Sequence, residues 1–203
     1  MKTLTREDWL NKSKDLLQSG VFKTAKITIP KDVKISCGFA LGTRKTQGKR
    51  CRTLGVCHNR ASSTAGVNEI FMSPQNDDTL KTLGVLAHEL IHAVDDCKNG
   101  HGKVFREMAH AIGLEGKMTA TTESPALIVE LEKIALKLGN YPHAEILLNN
   151  RKVQSTRNLK IVCSDDDGNG CGFSFRTSRK NFEMITNYTC PSCQNEAGYI
   201  TES

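Results

Sequence analysis

Two histidines and a glutamate lie close together in the segment HELIH, residues 88–92. Histidines four residues apart share one face of a helix about one turn apart, so both imidazoles can bind one metal ion. Glu89 would then lie beside that ion, where a carboxylate can act as general base toward water. The segment predicts a zinc hydrolase site with His88 and His92 as ligands and Glu89 as the catalytic residue. The alternative is a buried helix whose histidines have ordinary hydrogen-bond partners.

A catalytic zinc ion needs a third protein ligand and one open position. Three downstream residues have suitable chemistry, namely His101, Glu107 and His110. His101 is the preferred candidate, because the glycines on either side of it permit the chain to reverse over the motif helix.

Two carboxylates, Asp95 and Asp96, follow His92 by about one helical turn. Carboxylates are unfavourable at a helix C-terminus, so their presence there calls for a reason. Either could accept an N–H from a ligand imidazole and orient its ring. The alternative is that they lie at a solvent-facing helix end.

The elements that would position these residues are predicted from hydrophobic periodicity and from the residues that typically begin or end helices and strands. Helices are predicted from Thr5 to a stop at Gly20, from 76 or 77 to 98, over 103–112, over 125–138 and through the short segment HAEILLNN at 143–150. Strands are predicted in KITI (26–29), VKISCGF (33–39), RTLGVCH (52–58) and NEIFM (68–72). This mixture predicts an α+β fold with a small sheet beside the histidine helix.

The chain has eight cysteines. Four of them lie near the C-terminus among strand-like segments and are candidate ligands of a structural zinc ion in a small β zinc ribbon: Cys163, Cys171, Cys190 and Cys193. The other four are interpreted as reduced thiols, with a further metal site near His58 as the alternative: Cys37, Cys51, Cys57 and Cys97. A polar segment near residue 152 predicts a boundary between a first domain, 1–151, and a ribbon domain, 152–203.

Composition predicts a globular protein, with 38% hydrophobic and 25% charged residues. The first twenty residues lack the apolar stretch of a signal peptide, and no run is long enough to span a membrane, so a cytoplasmic protein is expected, with nucleoid association as an alternative. Between residues 40 and 60 there are six basic residues and no acidic one: Arg44, Lys45, Lys49, Arg50, Arg52 and Arg60. This basic segment is either a solvated loop or a phosphate contact for nucleic acid.

The segments NRASSTAGVNEIFMSP and TLGVLAHELIHAVDDCKNGHGKVFREMAHAIG resemble the SprT-like (Spartan-like) zinc metallopeptidase family. The resemblance covers about residues 35 to 115, and many members carry a C-terminal zinc ribbon. It implies a zincin-like domain in which His88, His92 and His101 bind zinc and Glu89 is catalytic. It also implies proteins bound or crosslinked to DNA as substrates.

The leading hypothesis is therefore a zinc-dependent endopeptidase with one catalytic and one structural zinc ion, whose partners are protein substrates and DNA. Its substrate is expected to lie extended along a sheet edge, with the NEIFM strand as the candidate. One alternative is a nucleic-acid-binding adaptor in which zinc is only structural. A second is a metal amidase that acts on cell-wall or small amide substrates. The sequence indicates no membrane partner and no oligomeric state.

Overall fold

The computed structural model describes residues 4–39, 53–147, 158–164, 170–184, 189–194 and 199–202. The chain divides into two compact units, residues 1–149 and 150–203. Helices and small sheets occur together, which confirms the predicted α+β class. Among the described residues, no helix is both long and apolar enough to cross a membrane.

The first unit has four α-helices and five β-strands among its described residues. They are α1 Arg6–Leu17, β1 Lys34–Cys37, β2 Gly55–His58, β3 Glu69–Met72, α2 Thr79–Val94, α3 Lys103–Ala111, β4 Leu114–Lys117, β5 Ala120–Glu123 and α4 Pro125–Leu138.

Helix α1 begins, and helix α4 begins and ends, where local chemistry predicts. The Thr5 hydroxyl accepts the Asp8 backbone N–H at 3.1 Å, and the Asp8 carboxylate accepts the Thr5 N–H at 3.4 Å, forming a capping box. Helix α4 has Ser124 as its cap and Pro125 at its first position. Gly139 follows its last residue with a φ of 79°, a backbone conformation that favours glycine.

The prediction that Gly20 stops the first helix is wrong. A π-helical turn over Gln18–Phe22 continues directly from α1, and Gly20 lies inside it. The turn carries Phe22 into the core, where its side chain is fully buried. Burial of a phenylalanine contributes more than the small helix penalty of one glycine, so the glycine does not end the helix.

The predicted KITI strand at 26–29 is also wrong. The side chain of Gln18 bonds the backbone there instead of a neighbouring strand. Its Oε1 accepts the Ile29 N–H at 2.6 Å, and its Nε2 donates to the Ile27 carbonyl at 3.3 Å. Those backbone groups are therefore occupied and do not join a sheet.

The three-stranded sheet has the order β1–β3–β2. Strand β3 pairs in parallel with β1, Ile35 opposite Ile70, and antiparallel with β2, Cys57 opposite Ile70. The central strand is thus β3, and β2 is an edge strand within the described part of the chain.

Helix α2 packs its apolar stripe against the sheet and against α1 and α4. The Asp78 carboxylate caps it by accepting the Lys81 N–H at 2.6 Å, so it begins two or three residues later than predicted. It ends at Val94, before the Asn99 expected to end it. Its buried apolar residues are Leu83, Leu86, Ala87, Leu90, Ile91 and Ala93.

A hairpin of β4 and β5 follows α3 and was not predicted. Its strands pair antiparallel from Leu114 opposite Glu123 to Lys117 opposite Ala120. Most of its side chains are exposed or half-buried, so it has none of the apolar alternation that marks a strand. Leu114 and Met118 anchor it in the core, at 0% and 6% exposure.

The predicted helix at 143–150 is not helical over residues 143–147, and its remaining residues lie outside the described part of the chain. The basic segment also lies mostly outside it, since residues 40–52 are not described. Arg60 is described, and both its terminal nitrogens bond the Asp32 carboxylate at 2.6 and 2.7 Å. The Arg60 hydrogen bond holds the pKa of Asp32 below its usual value.

The second unit contains a three-stranded antiparallel sheet in the order β7–β6–β8 and one short helix. Its elements are β6 Asn158–Cys163, β7 Ser174–Ser178, α5 Arg179–Glu183 and β8 Tyr199–Glu202. Its buried apolar residues among those described are few: Ile161, Cys163 and Cys190.

Candidate metal centre

Three imidazoles converge on one face of α2. His88 and His92 lie one turn apart on that helix, and the Nε2 atoms of both are 3.2 Å from the Nε2 of His101. His101 reaches them from the turn between α2 and α3, in which Gly100 has a φ of 48°. Each residue offers one ring nitrogen to a common point, so the group can hold a metal ion.

The other two candidates for the third ligand lie elsewhere. Glu107 is largely exposed on α3 and pairs with Lys103 at 3.8 Å. His110 is also exposed and does not belong to the histidine group. The glycine-flanked histidine is therefore the one that the fold brings to the motif helix.

The distances from the His101 nitrogen to the other two ring nitrogens fit a zinc ion. Zinc–nitrogen bonds of about 2.0–2.1 Å in a tetrahedron separate the ligand atoms by about 3.3 Å. The observed separation of 3.2 Å from His101 to each partner agrees with that value.

The electrostatics of the site favour the neutral, metal-binding form of its rings. Burial lowers the pKa of His88 to about 3, and repulsion from His92 and His101 adds to the shift. Burial and His101 lower the pKa of His92 to about 4. Burial also lowers the pKa of His101. Ring nitrogens without a proton are the form that a metal ion requires.

The ring of Phe105 packs against all three histidine rings. This fully buried side chain on α3 stacks on His92 with ring centroids 4.4 Å apart, and its centroid lies 4.8 Å from His88 and 5.0 Å from His101. Rings packed against a rigid core residue are held in place before a ligand arrives.

Thr121 on β5 orients one of the histidines. Its hydroxyl lies 3.1 Å from Nδ1 of His88, the ring nitrogen that does not face the other two imidazoles. The sequence gives no signal for this contact, since Thr121 lies 33 residues from His88 in an unpredicted hairpin.

The two carboxylates after α2 have other partners. Asp96 accepts the Arg60 backbone N–H at 2.8 Å and the Asn68 side-chain amide at 3.0 Å. Asp95 accepts the Asn99 N–H at 3.1 Å. Within the described residues, neither makes a hydrogen bond to a histidine ring, so the proposed role as imidazole orienters is not what the structure shows.

We expect Thr121→Val to weaken zinc binding at the three histidines by roughly 10- to 100-fold, because His88 loses the partner that fixes its ring. Thr121→Ser keeps the hydroxyl and is the matched control, with near-normal affinity. Chelator competition that resolves this site from the cysteine site measures the effect. Equal affinities for the valine and serine variants would show that the hydroxyl does not position His88.

Glu89 lies against β2, with 6% of its surface exposed. Burial raises the pKa of its carboxyl to about 8, opposed by a hydrogen bond from the Cys57 backbone. Gly55 on β2 leaves the room it needs, since a Cβ there would come within 2.8 Å of Glu89 Cγ and 2.7 Å of a Val85 methyl.

The triad and Glu89 line one cleft of about 550 Å³. Its lining comes from β2, from α2 and the turn after it, and from β5 with the residue before it, Thr119. The expectation that the NEIFM strand is a substrate-binding edge is wrong, because that strand is β3 and lies in the centre of the sheet. The sheet edge that lines the cleft is β2.

Four cysteines form a separate group in the second unit. The sulfur atoms of Cys163 and Cys193 are 3.7 Å apart, those of Cys171 and Cys190 are 3.6 Å apart, and all four lie within 4.8 Å of one another. Tetrahedral zinc–sulfur bonds of about 2.3 Å would separate the sulfurs by about 3.8 Å. The backbone N–H of Phe173 lowers the pKa of Cys171 to about 6, which favours the thiolate that binds metal.

Three of the remaining cysteines are described, and Cys51 lies outside the described residues. Cys37, Cys57 and Cys97 are all free thiols. Cys57 and Cys97 line the cleft, whereas Cys37 lies on β1. His58 is not part of either group that could hold a metal ion among the described residues.

A helix that presents two histidines, with a third from the following turn and a buried glutamate beside them, defines a metallopeptidase-like site. Residues 36–124 match the SprT-like family, and this stretch holds the three histidines and Glu89. The match supports a SprT-like domain over these residues, which make up less than half of the chain. No curated protein and no solved structure matches it.

Proposed function

We propose that the protein is a zinc-dependent endopeptidase. The observation that carries this proposal is the convergence of three neutral imidazoles on one point of a cleft whose wall also holds Glu89. In this proposal His88, His92 and His101 are the zinc ligands and Glu89 is the catalytic residue. The proposal extends to a zincin-like fold for the first unit.

Zinc bound to the triad would supply a Lewis acid that polarises the scissile carbonyl and lowers the pKa of a water molecule to about 7. Glu89 accepts a proton from the attacking water as the water oxygen bonds to the carbonyl carbon. It then gives that proton to the leaving nitrogen when the carbon–nitrogen bond breaks. The net reaction adds one water molecule across the peptide bond.

Burial serves this role for Glu89. A carboxyl whose pKa is raised to about 8 is a stronger base than an exposed glutamate once it is ionised. A divalent cation nearby would lower the pKa of the Glu89 carboxyl and so favour its ionised form. The two influences together give a basic carboxylate that lines the cleft with only 6% of its surface exposed.

The substrate that fits the cleft is an extended polypeptide. Strand β2 is an edge of its sheet within the described residues and runs along the cleft beside Glu89. An extended segment can add to such an edge through backbone hydrogen bonds that do not depend on its sequence. The β4–β5 hairpin would cover the segment from the other side.

We propose that the second unit is a zinc ribbon that binds a structural zinc ion through Cys163, Cys171, Cys190 and Cys193. Its residues from 151 onward include seven Lys and Arg against six Asp and Glu, so charge does not make it a nucleic-acid module. No disulfide joins any of the seven described cysteines, which suits the cytoplasm, and we propose that compartment.

We also propose proteins on DNA as substrates. The family resemblance supports this, as does the charge of the first 150 residues, which hold 21 Lys and Arg against 16 Asp and Glu. A net positive surface attracts the phosphate backbone.

The test measures cleavage of casein and of a DNA-binding protein. The enzyme is either chelator-treated or reloaded with zinc, and each assay is run with and without DNA. We expect cleavage only after zinc is restored. The DNA-binding protein should be cleaved faster when DNA is present than when it is absent. DNA binding with no cleavage of any protein would favour the adaptor. Cleavage of small amides but not of proteins would favour the amidase.

A further inference from the structure

Two thiols contact each other in the wall of the cleft. Cys57 comes from β2 and Cys97 from the turn after α2, and both line the cleft near the histidines. The Cys97 thiol donates to the Cys57 carbonyl oxygen at 3.5 Å, the Cys57 thiol donates to the His58 carbonyl oxygen at 3.7 Å, and the two thiols lie close enough to interact directly. Both are free, and they lie 40 residues apart in the sequence.

The backbone at Cys97 is held in an uncommon conformation. Asp96 and Cys97 have φ values of 56° and 58°, two successive non-glycine residues in the left-handed region. Such residues cost free energy and persist only where neighbouring contacts fix them. Here the Asp96 carboxylate accepts the Arg60 N–H, and the Cys97 N–H donates to the His92 carbonyl at 2.8 Å. These contacts point the Cys97 thiol at β2.

The two thiols differ in access. Cys97 lies on the turn after α2 and is less buried than Cys57 on β2. Hydrogen peroxide therefore reaches Cys97 first, and Cys57 is the adjacent resolving thiol.

We propose that Cys57 and Cys97 form an oxidation site at which a hydroperoxide closes an intramolecular disulfide. In the first step the Cys97 sulfur takes one oxygen atom from hydrogen peroxide, which gives a sulfenic acid and one water molecule. In the second step the Cys57 sulfur attacks the Cys97 sulfur. The S–S bond forms, and the hydroxyl leaves with the Cys57 proton as a second water. The two thiols lose two electrons and two protons, and the peroxide gains them.

The bond would tie the edge strand of the cleft to the turn that carries His101. Crosslinking residues 40 positions apart removes conformational freedom from the unfolded chain, so the oxidised first unit should be more stable than the reduced one. This inference does not depend on peptidase activity, because neither thiol is placed among the zinc ligands or the catalytic residues.

The test treats the zinc-loaded full chain with hydrogen peroxide, blocks free thiols, digests the protein and maps disulfides by mass spectrometry. We expect a linked peptide pair that joins Cys57 to Cys97. Fluorescence of Trp9, the single tryptophan and a buried core residue of the first unit, should show a melting temperature raised by about 5 °C, reversed by dithiothreitol. The Cys37→Ser variant is the control and should give the same linked pair.

In Cys57→Ser, the linked pair should disappear and Cys97 should stop as a sulfenic acid that dimedone traps. The inference is overturned if Cys97 in the unaltered chain is oxidised to sulfinic acid while Cys57 stays a free thiol. It is equally overturned if either cysteine bonds Cys51 instead. The disulfide map of the unaltered chain decides the matter even if a serine variant does not fold.

Discussion

Replacing Glu89 with glutamine should lower the rate of protein cleavage by roughly 10²–10⁴-fold, the usual contribution of a general base. Glutamine keeps the shape of the side chain but cannot accept a proton from water. The three zinc ligands are unchanged, so zinc content should equal that of the unaltered protein. Cleavage of casein and metal analysis of the same sample measure the two quantities.

The matched control is Glu107→Gln on α3, whose carboxylate is exposed and pairs only with Lys103 among the described residues. This change should leave cleavage and zinc content unaltered. If Glu89→Gln cleaved protein as fast as the control, Glu89 would not be the base and the endopeptidase proposal would fail. Loss of zinc together with activity would instead show that Glu89 acts through the fold of the site.

The parts of the fold that the sequence predicts are those set by neighbouring residues. The capping box of Thr5 and Asp8 and the Ser124-Pro125 start of α4 each depend on hydrogen bonds or dihedral angles within one helical turn. The period of the apolar residues in α2 likewise reports which face is buried.

The errors arise where distant residues decide the backbone. Phe22 enters the core through a π turn, so a glycine beside it does not stop α1. The side chain of Gln18 takes the hydrogen bonds of residues 27 and 29, which local pattern assigned to a strand. The β4–β5 hairpin has mostly polar side chains and is anchored by Met118, a contact that no local pattern contains.

The candidate site divides in the same way. The helical spacing of His88 and His92 and the glycines around His101 are local features, and the structure brings these three rings together. Thr121, which orients His88, belongs to the unpredicted hairpin. The order of the strands in the sheet also could not be predicted from the local sequence pattern. The strand next to the motif helix in sequence is β3, but the edge beside the cleft is β2, because β3 pairs with strands on both sides.

Replacing Cys190 with serine should remove one zinc ion per chain and unfold the second unit. The described part of that unit buries only Ile161, Cys163 and Cys190 among its apolar residues, and a core of that size cannot stabilise a small domain alone. Structural zinc sites contribute about 10–16 kcal/mol of apparent binding free energy in small zinc-dependent peptides, and that energy is folding energy. Serine keeps the volume of the side chain but is a poor zinc ligand.

The measurement is zinc stoichiometry together with amide hydrogen exchange of β6 and β7. We expect zinc to fall from two ions per chain to one and the protection of both strands to be lost. The first unit should keep its zinc and its protection, because all three histidines and their supporting Phe105 belong to it. Cys37→Ser, a thiol on β1 outside both metal groups, should retain both ions. If Cys190→Ser kept two zinc ions and protected strands, the four cysteines would not form a structural zinc site, and the sheet of the second unit would have to be stabilised by other contacts.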